Sequence, residues 1–377
     1  MGFDTTSRAP GKILWIGEYS VLERPNLSYV TAVNAYVEAR AKEIAGNVVE
    51  LAAPQLDRGA KGTINLGSGK INAETPKELV LMKTAVETAS RYIAALGIRL
   101  KGFRIVTNSD GPFSYTIKTG KVAKSGLGSS AAVTVATIGA LLKAFGIEPK
   151  KDDALHKLAQ TAHSLATGKV GSGFDIAAAT HGSIIYTRYS PGILQSLPAN
   201  YTNSQLLELV KRGWDYSIEP FSMPEGFKLS FANFIGKSMI TAKAVGGVSE
   251  FKKRDPGTYG GFIKDMNDEN IKAVNALRAI KNGDSGAYEA FRHAFDNGRA
   301  WAKMLGELSG VGIEPEDCTA LIDESKKNGA FVAKLPGAGG KDAISALTLD
   351  TDSKRRLERF WKGRRELNLQ ALDIATV

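Results

Sequence analysis

The segment Lys124–Val133 reads KSGLGSSAAV: one lysine, two glycines and three serines leading straight into an alanine- and valine-rich run. Glycines let successive backbone N–H groups face a single concavity, and a helix beginning there adds about half a positive charge at its N-terminus. Ser129 and Ser130 bring hydroxyls able to bond phosphate oxygens or coordinate Mg2+, and Ala131 and Ala132 let the helix lie close to a sheet. Taken alone, the same residues also serve as an ordinary serine cap before a helix. The G-x-x-x-x-G-K-[ST] spacing of a Walker loop is absent. So is a dinucleotide-type glycine turn after a parallel strand.

Outward from this turn the periodicities alternate between strand and helix. A helix is predicted to Phe145, apolar nearly all round and therefore interior. Upstream, KILWIGEY, SYVTAVN and YVEARAKEI read as strands, residues 78–96 as a helix, GFRIVTNSD as a strand and SYTIKTG as a hairpin arm. Downstream, residues 152–167 read as a second helix, and Pro191 to Asp215 as a polar connection between domains. Ala53–Pro76 reads as a long loop. Beyond the connection come a strand at FKLSFAN and helices at about 260–281 and 285–308. Two strands around the glycine turn of KLPGAGGKDAISAL follow, then a charged helix and a last short strand. The class is α+β, mainly antiparallel sheets with packed helices, divided into 1–190 and 191–377.

The chain has 377 residues, more than one comfortable core holds. Its net charge of +10 fits either nucleic acid or small, strongly acidic substrates. Aromatics are only 8% of residues and form no stacking platform, which argues against nucleic acid as a partner. The single cysteine, Cys318, allows no internal disulfide and reads as a structural residue on a helix. The apolar run at 131–142 is too short to span a bilayer, and MGFDTT precedes a core strand rather than a leader, so a cytoplasmic protein without membrane attachment is expected. His156, His163, His181 and His293 show no metal-ligand spacing with one another. Lys12, in PGK, starts a strand, and Asp175, in GSGFDIAAAT, starts a helix whose dipole favours an acidic residue there.

In order and spacing, APGKILWIGEYSVL, KSGLGSSAAV and KLPGAGGKDAISAL resemble the three signature motifs of the GHMP kinase superfamily. The tyrosine of GEYSVL stands where mevalonate kinases and galactokinases usually carry histidine. Together with AHSLATGKVGSGFDIAAATHGSIIYTRYSP, it makes the chain most similar to the phosphomevalonate kinase branch. The resemblance implies a two-domain fold with its active site in the interdomain cleft. The first domain would carry two motifs and the Asp175 loop, and the second the glycine-rich third motif. It also implies ATP-dependent phosphorylation of (R)-5-phosphomevalonate to (R)-5-diphosphomevalonate, with Mg2+ accompanying ATP. Mevalonate kinase and diphosphomevalonate decarboxylase are the neighbouring alternatives, and an RNA-binding protein or an inactive nucleotide sensor the remote ones.

By the same resemblance Lys12 stands at the reaction centre, with Asp175 as base or orienting group. ATP is assigned to Lys124, Ser125, Gly126, Leu127, Gly128, Ser129 and Ser130, with Ser130 also on the metal. The acceptor is assigned to Lys12, Glu18, Tyr19, Ser20, Ser172, Gly173, Asp175, Arg188, Gly337, Ala338, Gly339 and Gly340. Arg188, Lys101, Lys118, Lys121 and Lys124 are the candidates for its phosphate, and Asp342 for bracing the third motif. Where mevalonate kinases place a metal-binding glutamate ahead of the aspartate, this chain has Ser164 and Thr167, so no carboxylate carries over.

Overall fold

The computed structural model describes residues 5–116, 122–149, 153–235 and 241–375. Its first half runs β1 (Thr5–Ile16), β2 (Ser28–Ile44), β3 (Val48–Ala53), β4 (Arg58–Ile64), β5 (Ile71–Asn72), α1 (Val80–Ala95) and β6 (Gly102–Ser109). A short hairpin, β7 (Ser114–Thr116) and β8 (Val122–Lys124), precedes α2 (Ser129–Ala144), α3 (Ala154–Thr167), α4 (Phe174–His181) and β9 (Ile184–Thr187). Then come α5 (Gly192–Gln195), α6 (Asn203–Lys211) and β10 (Ser217–Pro220). The large sheet has the order β10-β9-β2-β6-β3-β4-β5, with β1 paired to β2, and among the described residues only β3 and β6 run parallel.

The long strand β2 organises this sheet. Its first residues, Ser28–Val33, are buried on both faces, whereas from Tyr36 onward the alternation read in YVEARAKEI gives one face to the core. Against the sheet lies α2, buried almost all round as its composition required, in contact with β1, β2, α1, α3 and α4. Gly139 is what admits it: a Cβ there would sit 2.4 Å from Ser7 Oγ.

Two readings of the sequence change here. The stretch expected as a loop at 53–76 contains β4 and β5, which extend the sheet. The expected connection, 191–215, contains α6, whose Leu206, Leu209 and Val210 are buried; the helix packs on α1 and α3. Its polar residues are a capping box: Gln205 N donates to Thr202 Oγ1 at 3.2 Å and Thr202 N donates to Gln205 Oε1 at 2.8 Å. With β10 paired to β9, the first sheet continues to Pro220, past the division expected after residue 190.

The second half runs β11 (Lys228–Phe234), α7 (Thr241–Arg254), α8 (Pro256–Lys281), α9 (Ala287–Ser309), α10 (Glu316–Lys327), β12 (Val332–Lys334), β13 (Ala343–Thr348), α11 (Thr351–Lys362) and β14 (Leu367–Gln370). Its antiparallel sheet has the order β12-β13-β11-β14. One apolar cluster passes from Tyr29 and Phe221 to Phe231 and Phe291, so the halves share a core. The last described residues return to the first sheet, with Ile374 bridging to Val33 and Ala375 N donating to Ala32 O at 2.9 Å. Among the described residues no helix is long and apolar enough to cross a membrane.

Trp361 on α11 is fully buried and donates from Nε1 to Ser325 Oγ at 2.9 Å. Trp361→Ala leaves a cavity, although Ser325 Oγ keeps its bond to Leu321 O at 2.7 Å, and is expected to cost about 3–5 kcal/mol. Urea unfolding of the two proteins, compared at unchanged slope, checks this.

Candidate active site

A cavity of about 440 Å3 lies where β1, the N-termini of α2 and α4, and the β12–β13 loop converge. Lys12, Tyr19, Lys124, Gly126, Gly128, Ser129, Ser130, Ser172, Asp175, Gly337 and Ala338 line it, joining all three sequence motifs. Residues 124–128 alternate: Lys124, Gly126 and Gly128 face the cavity, while the side chains of Ser125 and Leu127 are buried behind it. Ser125 Oγ accepts from Asn233 Nδ2 at 3.3 Å, so it braces the loop from beneath.

Lys12 fastens this loop to β1. Its backbone N–H donates to Leu127 O and its Nζ to Gly126 O, both at 2.9 Å. Gly128, at φ 81, caps α2 with no side chain because the lysine stem occupies that space; a Cβ would lie 3.0 Å from Lys12 Cε. Enclosure in the cleft pushes the Lys12 ammonium below its ordinary value, and the Asp175 and Asp342 carboxylates push it back up. Asp342, expected only to brace the turn, thus lines the cavity and contributes charge to it.

Asp175 sits in the first turn of α4, its Oδ1 accepting from Ile176 N at 3.0 Å. The loop before it is held by buried polar groups. Gln160 Nε2 donates to Gly173 O at 2.8 Å and Tyr186 Oη donates to Ser172 O at 3.0 Å. Gly173 has φ 81, and a Cβ there would come within 2.9 Å of both Gln160 and Tyr186 Oη.

Three residues expected beside the acceptor face elsewhere. Glu18 is buried and paired with Lys334 of β12, whose Nζ also donates to Trp15 O at 3.0 Å. Ser20 is buried and its Oγ accepts from Asn270 Nδ2 at 2.9 Å. Arg188 donates from Nη1 to Leu22 O at 2.6 Å and from Nη2 to Gly171 O at 2.8 Å, which ties two cleft loops together. Its Nη1 and Nη2 are thus engaged by carbonyls rather than lining the cavity where a phosphate ligand is expected, and its Nε is buried without a hydrogen-bond partner. Of the other cations, Lys101 pairs with Glu43 on the sheet away from the cleft, and Lys118 and Lys121 lie outside the described residues.

Tyr19 does reach the site, donating from Oη to Ala338 O at 2.8 Å. Gly337 and Ala338 present the third motif to the cavity, while Gly339 and Gly340 pack behind it. Gly340 N donates to Ile313 O at 2.7 Å, and a Cβ on Gly339 would come 2.2 Å from that oxygen. Lys169, His163 and Phe174 also line the cleft. Lys169 stands in the glycine-rich GKVGSG, and that composition was the signal for it. Thr167 donates to His163 O at 2.8 Å, and neither it nor Ser164 lines the cavity. Cys318 is buried on α10, its thiol pushed up to about 12 mainly by burial, as befits a packing residue.

The GHMP kinases N terminal domain family matches residues 81–183, and the GHMP kinases C terminal family matches residues 277–365. The chain is 31% identical to a phosphomevalonate kinase of Saccharolobus solfataricus, covering 94% of this chain and 93% of that protein. It is 29% identical to a peroxisomal phosphomevalonate kinase of Arabidopsis thaliana, over 96% and 93% of the two chains. Among solved structures, Streptococcus pneumoniae phosphomevalonate kinase in complex with phosphomevalonate and AMPPNP superposes with a TM-score of 0.75 at 20% identity, covering 98% of this chain and 99% of that one.

Gly173→Ala should displace the Asp175 loop while leaving the core intact. A shift of about 1 Å at a reacting group costs on the order of 10²-fold in rate. Steady-state turnover against an unchanged far-UV spectrum is the measurement.

Proposed function

The chain belongs to the GHMP kinase family, and we propose that it transfers the γ-phosphoryl group of ATP to the phosphate of (R)-5-phosphomevalonate. The products are (R)-5-diphosphomevalonate and ADP, a step of the mevalonate pathway to isoprenoids. What carries this reading is relatives of that name aligning over more than nine-tenths of the chain, together with a cleft holding cations beside a helix N-terminus.

In this reading the ATP phosphates rest on the backbone of Gly126–Gly128 and the N-terminus of α2, with the hydroxyls of Ser129 and Ser130 and the Lys124 ammonium beside them. The acceptor phosphate enters from the side of Ser172, Asp175 and Tyr19, where Lys12 and Lys169 supply positive charge. Transfer between two phosphates is mainly a matter of positioning and charge neutralisation. Lys12 offsets charge on the transferred group. The acceptor carries about −1.5 to −2 charges at neutral pH, so its attacking oxygen is mostly deprotonated already. Asp175 therefore acts chiefly by orienting the acceptor and favouring the charged form of Lys12. Mg2+ accompanying ATP fits the oxygen donors of this cleft, Ser130 and the carboxylates of Asp175 and Asp342. Bound there, it would neutralise phosphate charge. A cytoplasmic setting is supported by the lone, buried Cys318.

ADP release with Mg-ATP, offering mevalonate, phosphomevalonate and diphosphomevalonate in parallel, tests the assignment. Release with phosphomevalonate alone and no carbon dioxide is expected. Release with mevalonate, or carbon dioxide from diphosphomevalonate, overturns it. Lys12→Ala is expected to lower kcat by about 10²–10³-fold, the loss typical of one charge-stabilising donor. Because the Lys12 ammonium is shifted downward, kcat/KM should fall on the alkaline side below the ordinary lysine value of 10.5. Charge is lost as pH rises through the shifted pKa, and an active Lys12→Arg enzyme should hold its rate to higher pH.

A further inference from the structure

At the far end of α3 and α4 from the cleft, four polar side chains meet. Asp153 precedes α3, His156 follows one turn later, His181 ends α4, and Tyr216 stands just before β10. One ring nitrogen of each histidine and one carboxylate oxygen of Asp153 lie within 4.8 Å of one another. The imidazoles are 5.2 Å apart between centroids, and the Tyr216 ring is 4.9 Å from His156.

The hydrogen bonding inside this cluster is incomplete. His156 is fully buried, and its Nδ1 has no partner. His181 Nε2 is buried as well; it stands 3.2 Å from Asp153 Oδ1 but is poorly aligned for a hydrogen bond. Unpaired buried polar nitrogens are costly. The other ring nitrogen of His156, Nε2, lies 3.4 Å from Gln160 Nε2. The Tyr216 hydroxyl donates to Asp153 Oδ2, which leaves Oδ1 facing His181. The nearby cation Lys157 is engaged with the carbonyls of Val210 and Arg212, at 3.0 and 3.1 Å.

We infer that Asp153, His156 and His181 form a binding site for a divalent transition metal of the zinc class, with Tyr216 or water completing its shell. Two imidazoles and one carboxylate suit zinc and its neighbours better than Mg2+ or Ca2+, which prefer oxygen. A tetrahedral ion with bonds of about 2.0–2.2 Å sets its donors about 3.4 Å apart. The three side chains therefore need to close by little more than an ångström. His181 lies six residues beyond Asp175 on one helix, about 9 Å along its axis. The ion would clamp α4 to α3 without entering the cleft.

The test uses full-length, tag-free protein stripped with chelator, without nucleotide or acceptor, so that its outcome is independent of the kinase assignment. Equilibrium dialysis against Zn2+ with elemental analysis should find about one ion per chain, and Co2+ should give the visible bands of a tetrahedral site. His181→Gln and Asp153→Asn, both partly exposed positions, should each weaken binding at least about 10-fold. Zn2+ should raise the thermal midpoint of the parent protein but not of these variants. No zinc retained above the level of the D153N/H181Q double variant overturns the proposal. So does uptake that survives both substitutions but is lost in Asp175→Asn, which would place the ion in the cleft.

Discussion

Two hydrogen bonds from one residue hold the site together. Lys12 reaches the glycine loop through its backbone N–H and through its ammonium, so a single position on β1 fixes both the loop's path and a cation above it. The loop leads into α2, and α2 is packed on every side. A helix gripped in that way cannot shift its N-terminus without disturbing the core, so its positive end stays aimed into the cleft. The same enclosure strips water from Lys12 and penalises its charge, and Asp175 and Asp342 oppose that penalty from two different loops.

The opposite wall depends on contacts that bridge the two halves. Glu18 and Lys334 form a buried ion pair between the end of β1 and β12, and Tyr19 bonds the backbone of the third motif. Burial pushes the Lys334 ammonium well down. A buried pair of this kind adds little net stability, yet losing either partner strands the other charge. It joins β12, which leads into the Gly337–Ala338 loop, to the residues just past the Lys12 strand.

Much of this was legible in the sequence because glycine and charge announce themselves. Gly128, Gly173 and Gly339 each stand where a Cβ would strike a neighbour, and the motif lysine and aspartate face one cavity. Direction was not legible. Nothing in GEYSVL tells that Tyr19 turns toward the cleft while Glu18 and Ser20 turn away, since their partners, Lys334 and Asn270, lie hundreds of residues downstream. Arg188 looked like a phosphate ligand because its carbonyl partners are backbone atoms, which sequence does not display. The stretch at 191–215 looked like a connection because a capping box is made of the residues that also make loops. Histidine spacing missed the Asp153 cluster, where the i, i+3 partner of His156 is an aspartate and His181 comes from another helix.

The return of the chain to its starting sheet bears on how the molecule is made. Asn34 N donates to Asp373 O at 3.0 Å and Asp373 N to Asn34 Oδ1, a pairing across 339 positions. At about 5–20 residues per second, a ribosome needs roughly 20–70 s to supply the second partner after the first. Throughout that interval the middle of β2 has backbone groups whose protein partners, Asp373 and Ala375, are not yet made. The first sheet can therefore gather early around α2, but its final hydrogen bonds form only after residues 373–375 have been made.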